Sequence, residues 1–430
     1  MKPLFTTLSP ALTHPAMLVF MGWRNIWRNP VRSLLTVSAL AGGLIIVILF
    51  SALLEGMSRQ MVHYATNLTS GHIQLHRQAY IDDQDLYATL PWDYLTALEQ
   101  RFPHLTFAPR LQAAGLASSK DSSTGVMLRA VDPKREGKVT VQLDKVAKGR
   151  SDLSDNRVLV GKSLAKKLAL KPGSELILVT QAADGSIGNA IFIVSGILKP
   201  LEPGFDRAGI LMSIDNFQQL MVLSEGFHEL AVHLTQPEQL PQIQQQLIQA
   251  ITDLQQQKPL DEWGGAAVVR SWQQLTPMVA NMMQMSQSML TVIGFIVVGL
   301  ASMGLVNTLL MALHERRHEL GILRAIGMKG RHLMLLMLIE SFFLALLAAL
   351  LGAGLGSLAG LWLESHGIDF SSRMPDGYDW GGLVFEPVMT AYLNLTQVAG
   401  LSLLMVTVAL LSALIPSWQL IKLKPAEVLR

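Results

Sequence analysis

The residues most suggestive of chemistry are His314, Glu315 and His318, which match the pattern H-E-x-x-H. On one helix, two histidines four residues apart share a face and can bind zinc, with the glutamate as general base. Here Arg316 and Arg317 would place two positive charges beside the ion, and the sequence offers no evident third ligand. We therefore expect no metal site, and an intramembrane zinc protease is only a remote alternative.

A second short motif, Gly161-Lys162-Ser163, follows an apolar strand pattern and matches half of a phosphate-binding loop. The full motif needs a glycine five residues before Gly161, where this chain has Asn156. We therefore expect no nucleotide site here. The sequence predicts no catalytic residue and no cofactor in this chain.

Long uncharged apolar segments dominate the composition of the chain. Of its 430 residues, 50% are hydrophobic and only 15% are charged, against about 25% charged in an average soluble domain. The net charge of +2 gives no reason to expect nucleic acid binding, and the absence of cysteine excludes disulfides and cysteine-ligated metals.

Four segments reach the roughly 20 apolar residues that a membrane-crossing helix requires. These spans are residues 33–54, 289–313, 333–363 and 395–415.

The distribution of lysine and arginine predicts an orientation for these spans, because positive residues collect in cytoplasmic loops. They lie before span one, between spans two and three, and after span four. They are Arg24, Arg28 and Arg32, then Arg316, Arg317, Arg324, Lys329 and Arg331, then Lys422, Lys424 and Arg430. The loop between spans three and four instead has one arginine among five acids. We expect both termini and the 314–332 loop to face the cytoplasm.

A long block of ordinary polarity, residues 55–288, separates spans one and two. Alternating and helical patterns are mixed within it, which predicts an α+β domain. Strands are predicted at 158–160, 175–180, 190–198, 208–214, 229–234 and 266–269, and helices at 162–170 and 240–256. The helices of spans one and two are predicted to continue through residues 55–67 and 277–288 as stalks. The fold class is therefore an α-helical membrane protein with four transmembrane helices and a large inserted α+β extracytoplasmic domain.

The segment 71–76, GHIQLH, alternates polar and apolar residues. This places His72 and His76 on one face of a strand. Two histidines alone make a poor metal site, so we expect a polar strand face.

Span three contains small residues at regular spacing and one acid. Gly352, Gly356 and Gly360 recur every four residues, which allows close helix approach within the subunit or against a second copy. Glu340 lies about two turns inside the apolar segment, where an acid has a role by default. We expect a structural role, with Asn307 of span two as its candidate partner by depth.

The loop between spans two and three, HERRHELGILRAIGMKGRHL, has apolar residues between charged ones. A short helix there would present Leu320, Ile322, Leu323 and Ile326 together. Such a helix either anchors in the lipid interface or docks into a groove of a cytoplasmic protein.

Several segments together resemble the FtsX-like permeases of ABC transporters, the MacB-type or mechanotransmission class. Residues 315–327, ERRHELGILRAIG, match the family's coupling segment E-R-x-x-E-I-G-I-L-R-A-L-G, with His318 as one departure. Residues 23–33, WRNIWRNPVRS, and the tail 425–430, PAEVLR, resemble the corresponding family segments. Glu340 falls where the family has an acid before a glycine-rich stretch.

The resemblance implies a non-catalytic subunit that couples to a separate cytoplasmic ABC ATPase, which would bind ATP and magnesium. It implies that the coupling residues contact this ATPase. They are Glu315, Arg316, Glu319, Gly321, Ile322, Leu323, Arg324, Ala325 and Gly327. It also implies a second permease subunit, identical or related, in the lipids of a bacterial inner membrane.

Within the family, GHIQLH and the Asp132-Pro133 region look most like lipoprotein-releasing permeases. The alternatives are an efflux permease for antibiotics, peptides or haem with a periplasmic adaptor, and a signalling device that switches a cell-wall hydrolase.

The predicted division of the chain is an N-terminal amphipathic segment 1–32, span one 33–54, the inserted domain 55–288, span two 289–313, the coupling loop 314–332, span three 333–363, a periplasmic loop 364–394, span four 395–415 and a tail 416–430.

Overall fold

A computed structural model of the chain describes residues 15–120, 122–200, 202–223, 225–374, 378–380, 383–385 and 387–421. Several features predicted above lie outside these ranges. They are residues 1–14 of the N-terminal segment, the tail from Lys422 with its PAEVLR motif, and Asp376 and Glu386 of the loop after span three.

Helices account for all four predicted spans. In chain order the α-helices of the described part are α1 Pro15–Arg28, α2 Pro30–His63, α3 Gln78–Asp83, α4 Trp92–Arg101, α5 Pro133–Val139, α6 Lys162–Lys167, α7 Pro203–Ala208, α8 Ile214–Met221, α9 Leu240–Gln257, α10 Trp272–Leu275, α11 Pro277–Glu315, α12 Arg317–Ala325, α13 Gly330–His366 and α14 Leu395–Trp418. Helices α2, α11, α13 and α14 are long and apolar enough to cross a membrane. A π-helical turn, Tyr64–Ser70, continues α2, so the predicted helical continuations of spans one and two are confirmed.

The chain divides into two compact units. The helical unit comprises residues 1–58, 284–369 and 388–430, and the sheet unit comprises residues 59–283 and 370–387. The strands of the sheet unit's main sheet are β1 Ile73–Arg77, β2 Thr106–Ser118, β3 Ser123–Val131, β4 Val146–Gly149, β5 Arg157–Val160, β6 Glu175–Gln181, β7 Ile187–Leu198, β8 Gly209–Ser213, β9 Glu229–His233 and β10 Ala267–Ser271. Four short strands follow, namely β11 Ile368–Asp369, β12 Tyr378–Trp380, β13 Leu383–Phe385 and β14 Val388–Met389.

The main sheet is mixed, as the predicted α+β class requires. Its order is β10-β1-β9-β2-β3-β8-β5-β7-β4, with β6 paired to β2 and β7. Strand β3 runs parallel to β8, and β5 runs parallel to β7. The strands predicted between residues 158 and 269 are confirmed, whereas the long β2–β3 hairpin was not predicted.

The polar face predicted for β1 exists, but it is buried. All five residues of this strand are buried because β9 and β10 flank it. His76 pairs with Glu229 of β9, and Glu229 pairs in turn with Arg110 of β2. A row of polar side chains therefore crosses the middle of the sheet.

Hydrogen bonds and ion pairs satisfy the two charged members of this buried row, Arg110 and Glu229. Arg110 Nη2 donates to Glu136 Oε1 at 2.7 Å, and its Nη1 donates to Glu229 Oε1 at 2.6 Å. Gln74 and Gln112 donate to the two oxygens of Glu229 at 2.6 and 2.7 Å. Burial alone would raise the pKa of Glu229, but Arg110 holds that pKa below its usual value. A paired and fully bonded charge of this kind can remain ionised inside a core.

The motif Gly161-Lys162-Ser163 has a packing role in the structure. Gly161 precedes α6, and a side chain there would collide with the backbone of Asp206 in α7. The Ser163 amide donates to Asp206 Oδ1 at 3.1 Å, and the Ser163 hydroxyl donates to the same carboxylate. The carboxylate of Asp206 therefore occupies the N-terminal end of α6.

His72 makes the stability of the sheet unit depend on pH. Burial, with the neighbouring His233, lowers the pKa of His72 to about 4. Between pH 6.5 and 4 the unfolded chain binds a proton that folded His72 does not, so stability falls as pH falls through this window. We expect His72→Gln to flatten that fall by about 1 to 3 kcal/mol, measured by unfolding at several pH values. The exposed His104→Gln should leave the slope unchanged, and an equal effect of both substitutions would contradict the assignment.

Three glycines of span three, Gly352, Gly356 and Gly360, pack against other segments of the same chain. A Cβ at Gly352 would meet Leu44 at 3.0 Å, and a Cβ at Gly356 would meet Ile48 at 3.1 Å, both residues lying on α2. A Cβ at Gly360 would meet Leu393 at 3.0 Å. Of the two contacts that the spacing allowed, the one within the subunit is therefore present.

Gly356→Leu should destabilise the helical unit, because the side chain would enter the closely packed contact with α2. We expect a loss of about 1 to 3 kcal/mol, measured as a lower melting temperature of the detergent-purified protein. Gly354 is the matched control, since a Cβ there would meet nothing within 4 Å. Equal melting temperatures for Gly356→Leu and Gly354→Leu would show that the contact is not close.

Candidate functional site

Two breaks in the backbone delimit the coupling segment. Helix α11 ends at Glu315, and α12 begins at Arg317 after Arg316 adopts a non-helical φ of −101° and ψ of 13°. At the other end, Gly327 has a φ of +107°, a backbone angle that residues other than glycine rarely adopt. Helix α12 is therefore a separate nine-residue helix between spans two and three.

The first break divides the H-E-x-x-H pattern. His314 lies in the last turn of α11 with its Nδ1 2.8 Å from the carbonyl oxygen of Leu310, whereas His318 lies on α12. Glu315 Oε1 accepts a hydrogen bond from Arg32 Nη2 at 2.6 Å. Zinc binding by this pattern needs both histidines on one face of a continuous helix, and the two helices do not provide that face.

The N-terminal helix α1 packs beside this segment within the helical unit. Its buried face is Leu18, Gly22 and Ile26, spaced four residues apart. A Cβ at Gly22 would lie 2.7 Å from Ile339 Cγ2, so α1 and α13 are in close contact. The charged end of α1 is thereby brought to the coupling segment.

Two arginines from this N-terminal region bind the acids of the coupling segment. Arg28 donates to both oxygens of Glu319, and Arg32 donates to Glu315. The hydrogen bonds from Arg28 lower the pKa of Glu319. The side chains of Arg28 and Glu319 remain 56% and 40% exposed, so this pair alone contributes little stability, about 1 kcal/mol or less.

Arg316 connects the remaining polar groups. Its guanidinium donates to Asn25 Oδ1 at 2.9 Å, to Glu319 Oε2 at 3.3 Å and to Glu340 Oε2 at 3.5 Å. Asn25 also donates to Glu340 Oε2 at 3.2 Å. The side chains of Arg316 and Glu340 are only 20% and 15% exposed. The network therefore extends from the exposed end of α1 into the apolar packing of α13.

The predicted pairing of Glu340 with Asn307 is wrong. Asn307 is exposed on α11, and Glu340 is bonded by Asn25 and Arg316 instead. The prediction compared only how far Glu340 and Asn307 lie from the cytoplasmic ends of their spans. Depth does not determine the direction in which a helical side chain points, and α1 covers the side of α13 from which Glu340 projects.

Helix α12 has an internal side and an exposed side. Leu320 and Gly321 are buried, and Arg324 Nη1 donates to the carbonyl oxygen of Leu420 at 3.1 Å. The opposite side carries exposed residues at helical spacing. We call this the exposed stripe, and it consists of His318, Ile322, Ala325 and Ile326.

The structure therefore separates the nine predicted coupling residues. Arg316, Glu319 and Arg324 bond to other parts of this chain, and Gly321 and Leu323 are buried or half-buried. Glu315 is exposed but paired with Arg32. Ile322, Ala325 and Gly327 remain exposed.

Comparison with known proteins matches most of the chain to two described domains. Residues 33–250 match the MacB-like periplasmic core domain, and residues 291–425 match the FtsX-like permease C-terminal domain. The chain belongs to the FtsX-like ABC transporter permease family. Together with the four apolar helices, this makes it a bacterial inner-membrane protein.

Individual relatives of this permease are distant in sequence. The chain is 23% identical to a "Lipoprotein-releasing system transmembrane protein LolC" from Neisseria meningitidis, over 94% of this chain and 95% of that one. It is 23% identical to a "Macrolide export ATP-binding/permease protein MacB" from Pasteurella multocida, over 81% of this chain and 52% of that one. The periplasmic region of MacB from Actinobacillus actinomycetemcomitans is similar over 51% of this chain and 96% of that structure, with 11% identity and a TM-score of 0.35.

Sequence reasoning did not identify three residues of this permease's polar network, namely Asn25, Arg28 and Arg32. The charges of Arg28 and Arg32 were interpreted as an orientation signal, and residues 23–33 were used only for the family resemblance. A second signal was available, because arginines four residues apart precede span one while Glu315 and Glu319 are also four apart. Equal spacing of opposite charges in two segments of the chain is compatible with paired contacts.

Arg316→Leu should destabilise the helical unit, because it leaves Glu340 without its cation in an apolar environment. We expect a loss of about 2 to 4 kcal/mol, measured by thermal unfolding in detergent. Arg317→Leu, its exposed neighbour, should change stability by about 0.5 kcal/mol or less. The double variant Arg316→Leu with Glu340→Leu should recover part of the loss, and a further loss would show that the two side chains act independently.

Proposed function

We propose that this permease, with a separate cytoplasmic ATPase, releases lipid-modified proteins from the membrane. The observation that carries the proposal is the alignment with the Neisseria relative, which covers almost the full length of both chains. An alignment of that extent includes most of the four spans and of the inserted unit of this chain. The substrate class named for that relative is the one proposed here.

The ATPase would dock on the exposed stripe of α12. Ile322 and Ile326 are 41% and 39% exposed, and the basic residues Arg317, Lys329 and Arg331 are exposed close to them in the chain. Apolar anchors with a charged rim are typical of a helix that enters a groove on a partner. The Lys and Arg distribution supports a cytoplasmic position for this segment.

In this proposal the chain itself does no chemistry. The ATPase binds ATP and magnesium, and its closure displaces α12, which can tilt at Arg316 and at Gly327. Helix α11 is continuous from Pro277 to Glu315 and would carry the displacement along its axis. A second permease subunit would complete the transporter in the membrane.

A second candidate function is export with a periplasmic adaptor, favoured by the match to the MacB-like periplasmic core domain. Mild-detergent purification of the tagged chain from native membranes, followed by mass spectrometry, separates the two. An ABC ATPase with acylated proteins supports lipoprotein release. An ATPase with an adaptor supports export, and an ATPase with a cell-wall hydrolase supports signalling. Absence of any ATPase would overturn the proposal.

Ile326→Asp should prevent docking, because it puts a charge at the centre of the apolar contact. We expect recovery of the ATPase with the tagged chain to fall about tenfold or more. Ile248→Asp is the matched control, since Ile248 is equally exposed but lies on α9 of the sheet unit. Unchanged recovery with Ile326→Asp would exclude the exposed stripe as the docking surface.

A further inference from the structure

We infer that the ion pairs of Arg28 and Arg32 transmit the displacement of α12 to span one. Glu315 and Glu319 are then positioning residues inside this chain, and they do not contact the ATPase. This inference rests on the proposed function, because it assumes that an ATPase moves α12.

The connectivity of the helical unit leaves a specific place for such a link. Helix α12 is joined directly through the backbone to α11 and α13, so spans two and three receive its displacement directly. Span one, α2, is not a chain neighbour of α12, and it packs on α13 through Leu44 and Ile48. Its first turn contains Arg32, and the helix before it ends at Arg28, so these two arginines hold both sides of the junction between α1 and α2.

The acids of the coupling segment are oriented toward this junction. Both oxygens of Glu319 accept hydrogen bonds from Arg28, and Oε2 also accepts one from Arg316. Glu315 accepts from Arg32 at 2.6 Å. Planar guanidinium groups that bind carboxylates with two hydrogen bonds restrict orientation as well as distance. With both oxygens bonded in this way, Glu319 has less capacity to bind a partner that docks on the exposed stripe.

The backbone breaks explain why charged contacts are needed. Since Arg316 and Gly327 interrupt the helix on both sides, a tilt of α12 reaches α2 only in part through the packing of α13 on α2. The apolar contacts of Leu320 contribute packing but little direction. The ion pairs resist movement of α12 toward the junction between α1 and α2, and they also resist its movement away from that junction.

A single introduced cysteine reports on each span, because the chain has no cysteine of its own. Gly42 in α2 and Gly299 in α11 both have open space where a Cβ would lie. A nitroxide label is attached to Gly42→Cys or Gly299→Cys before the ATPase is added. The electron paramagnetic resonance spectrum is then compared with and without ATP and vanadate.

We expect both labels to respond to nucleotide in the otherwise unchanged chain. Arg28→Glu should abolish the response at residue 42 and preserve it at residue 299, with the ATPase still bound. The exchanged pair Arg28→Glu with Glu319→Arg should restore the response at residue 42. Arg24→Glu is the matched control, since Arg24 is exposed one turn earlier on α1 and forms no ion pair with a described residue, and it should change neither response.

Three results would overturn the inference. The response at residue 42 could survive Arg28→Glu combined with Arg32→Glu, or the exchanged pair could fail to restore it. Alternatively, Glu319→Arg could release the ATPase while Arg28→Glu retains it, which would make Glu319 a contact of the ATPase. Failure of the unchanged chain to bind any ATPase would instead contradict the proposed function.

Discussion

An acid inside an apolar helix is the constraint on which the coupling region depends. Glu340 lies in α13 among apolar packing, where an isolated carboxylate would be very costly. Arg316 supplies the compensating cation, and Asn25 bonds to both of them. Arg316 lies at the break between α11 and α12. The residue that compensates the charge of Glu340 is therefore also the residue at which the helix is interrupted.

The same constraint accounts for the position of the N-terminal helix. Asn25 reaches Glu340 only because Gly22 allows α1 to approach α13 closely. With α1 in place, Arg28 and Arg32 meet the acids at the start of the coupling segment. A single acid in span three thus organises residues from five helices in two distant parts of the sequence, α1 and α2 in one and α11, α12 and α13 in the other.

The sequence predicted the elements of this protein better than their contacts. Hydropathy located the spans, because burial in lipid needs long apolar runs, and alternation located most strands of the sheet unit. Periodicity does not show which elements become neighbours. The buried row from His76 through Glu229 to Arg110 therefore could not be predicted, since its members belong to three strands that meet only in the folded sheet.

The coupling segment shows the same limit at the level of single residues. Its family pattern correctly identified a short helix with charged and apolar residues. Spacing could not show that Glu319 and Arg324 bond to other parts of this chain while Ile322 stays unbonded and exposed, because their partners lie on α1 and after α14. The error at Asn307 has the same origin.

The order of strands in the sheet also has a consequence for biogenesis. Strand β1 follows span one, yet its neighbours β9 and β10 are the last strands before span two. The sheet therefore cannot close until nearly the whole insert has been synthesised and delivered to one side of the bilayer. Pairing across such a sequence distance is slow, and the unclosed intermediate exposes Arg110 and its acids to water. Quality-control proteases and chaperones of that compartment would meet this permease mainly in its half-translated state.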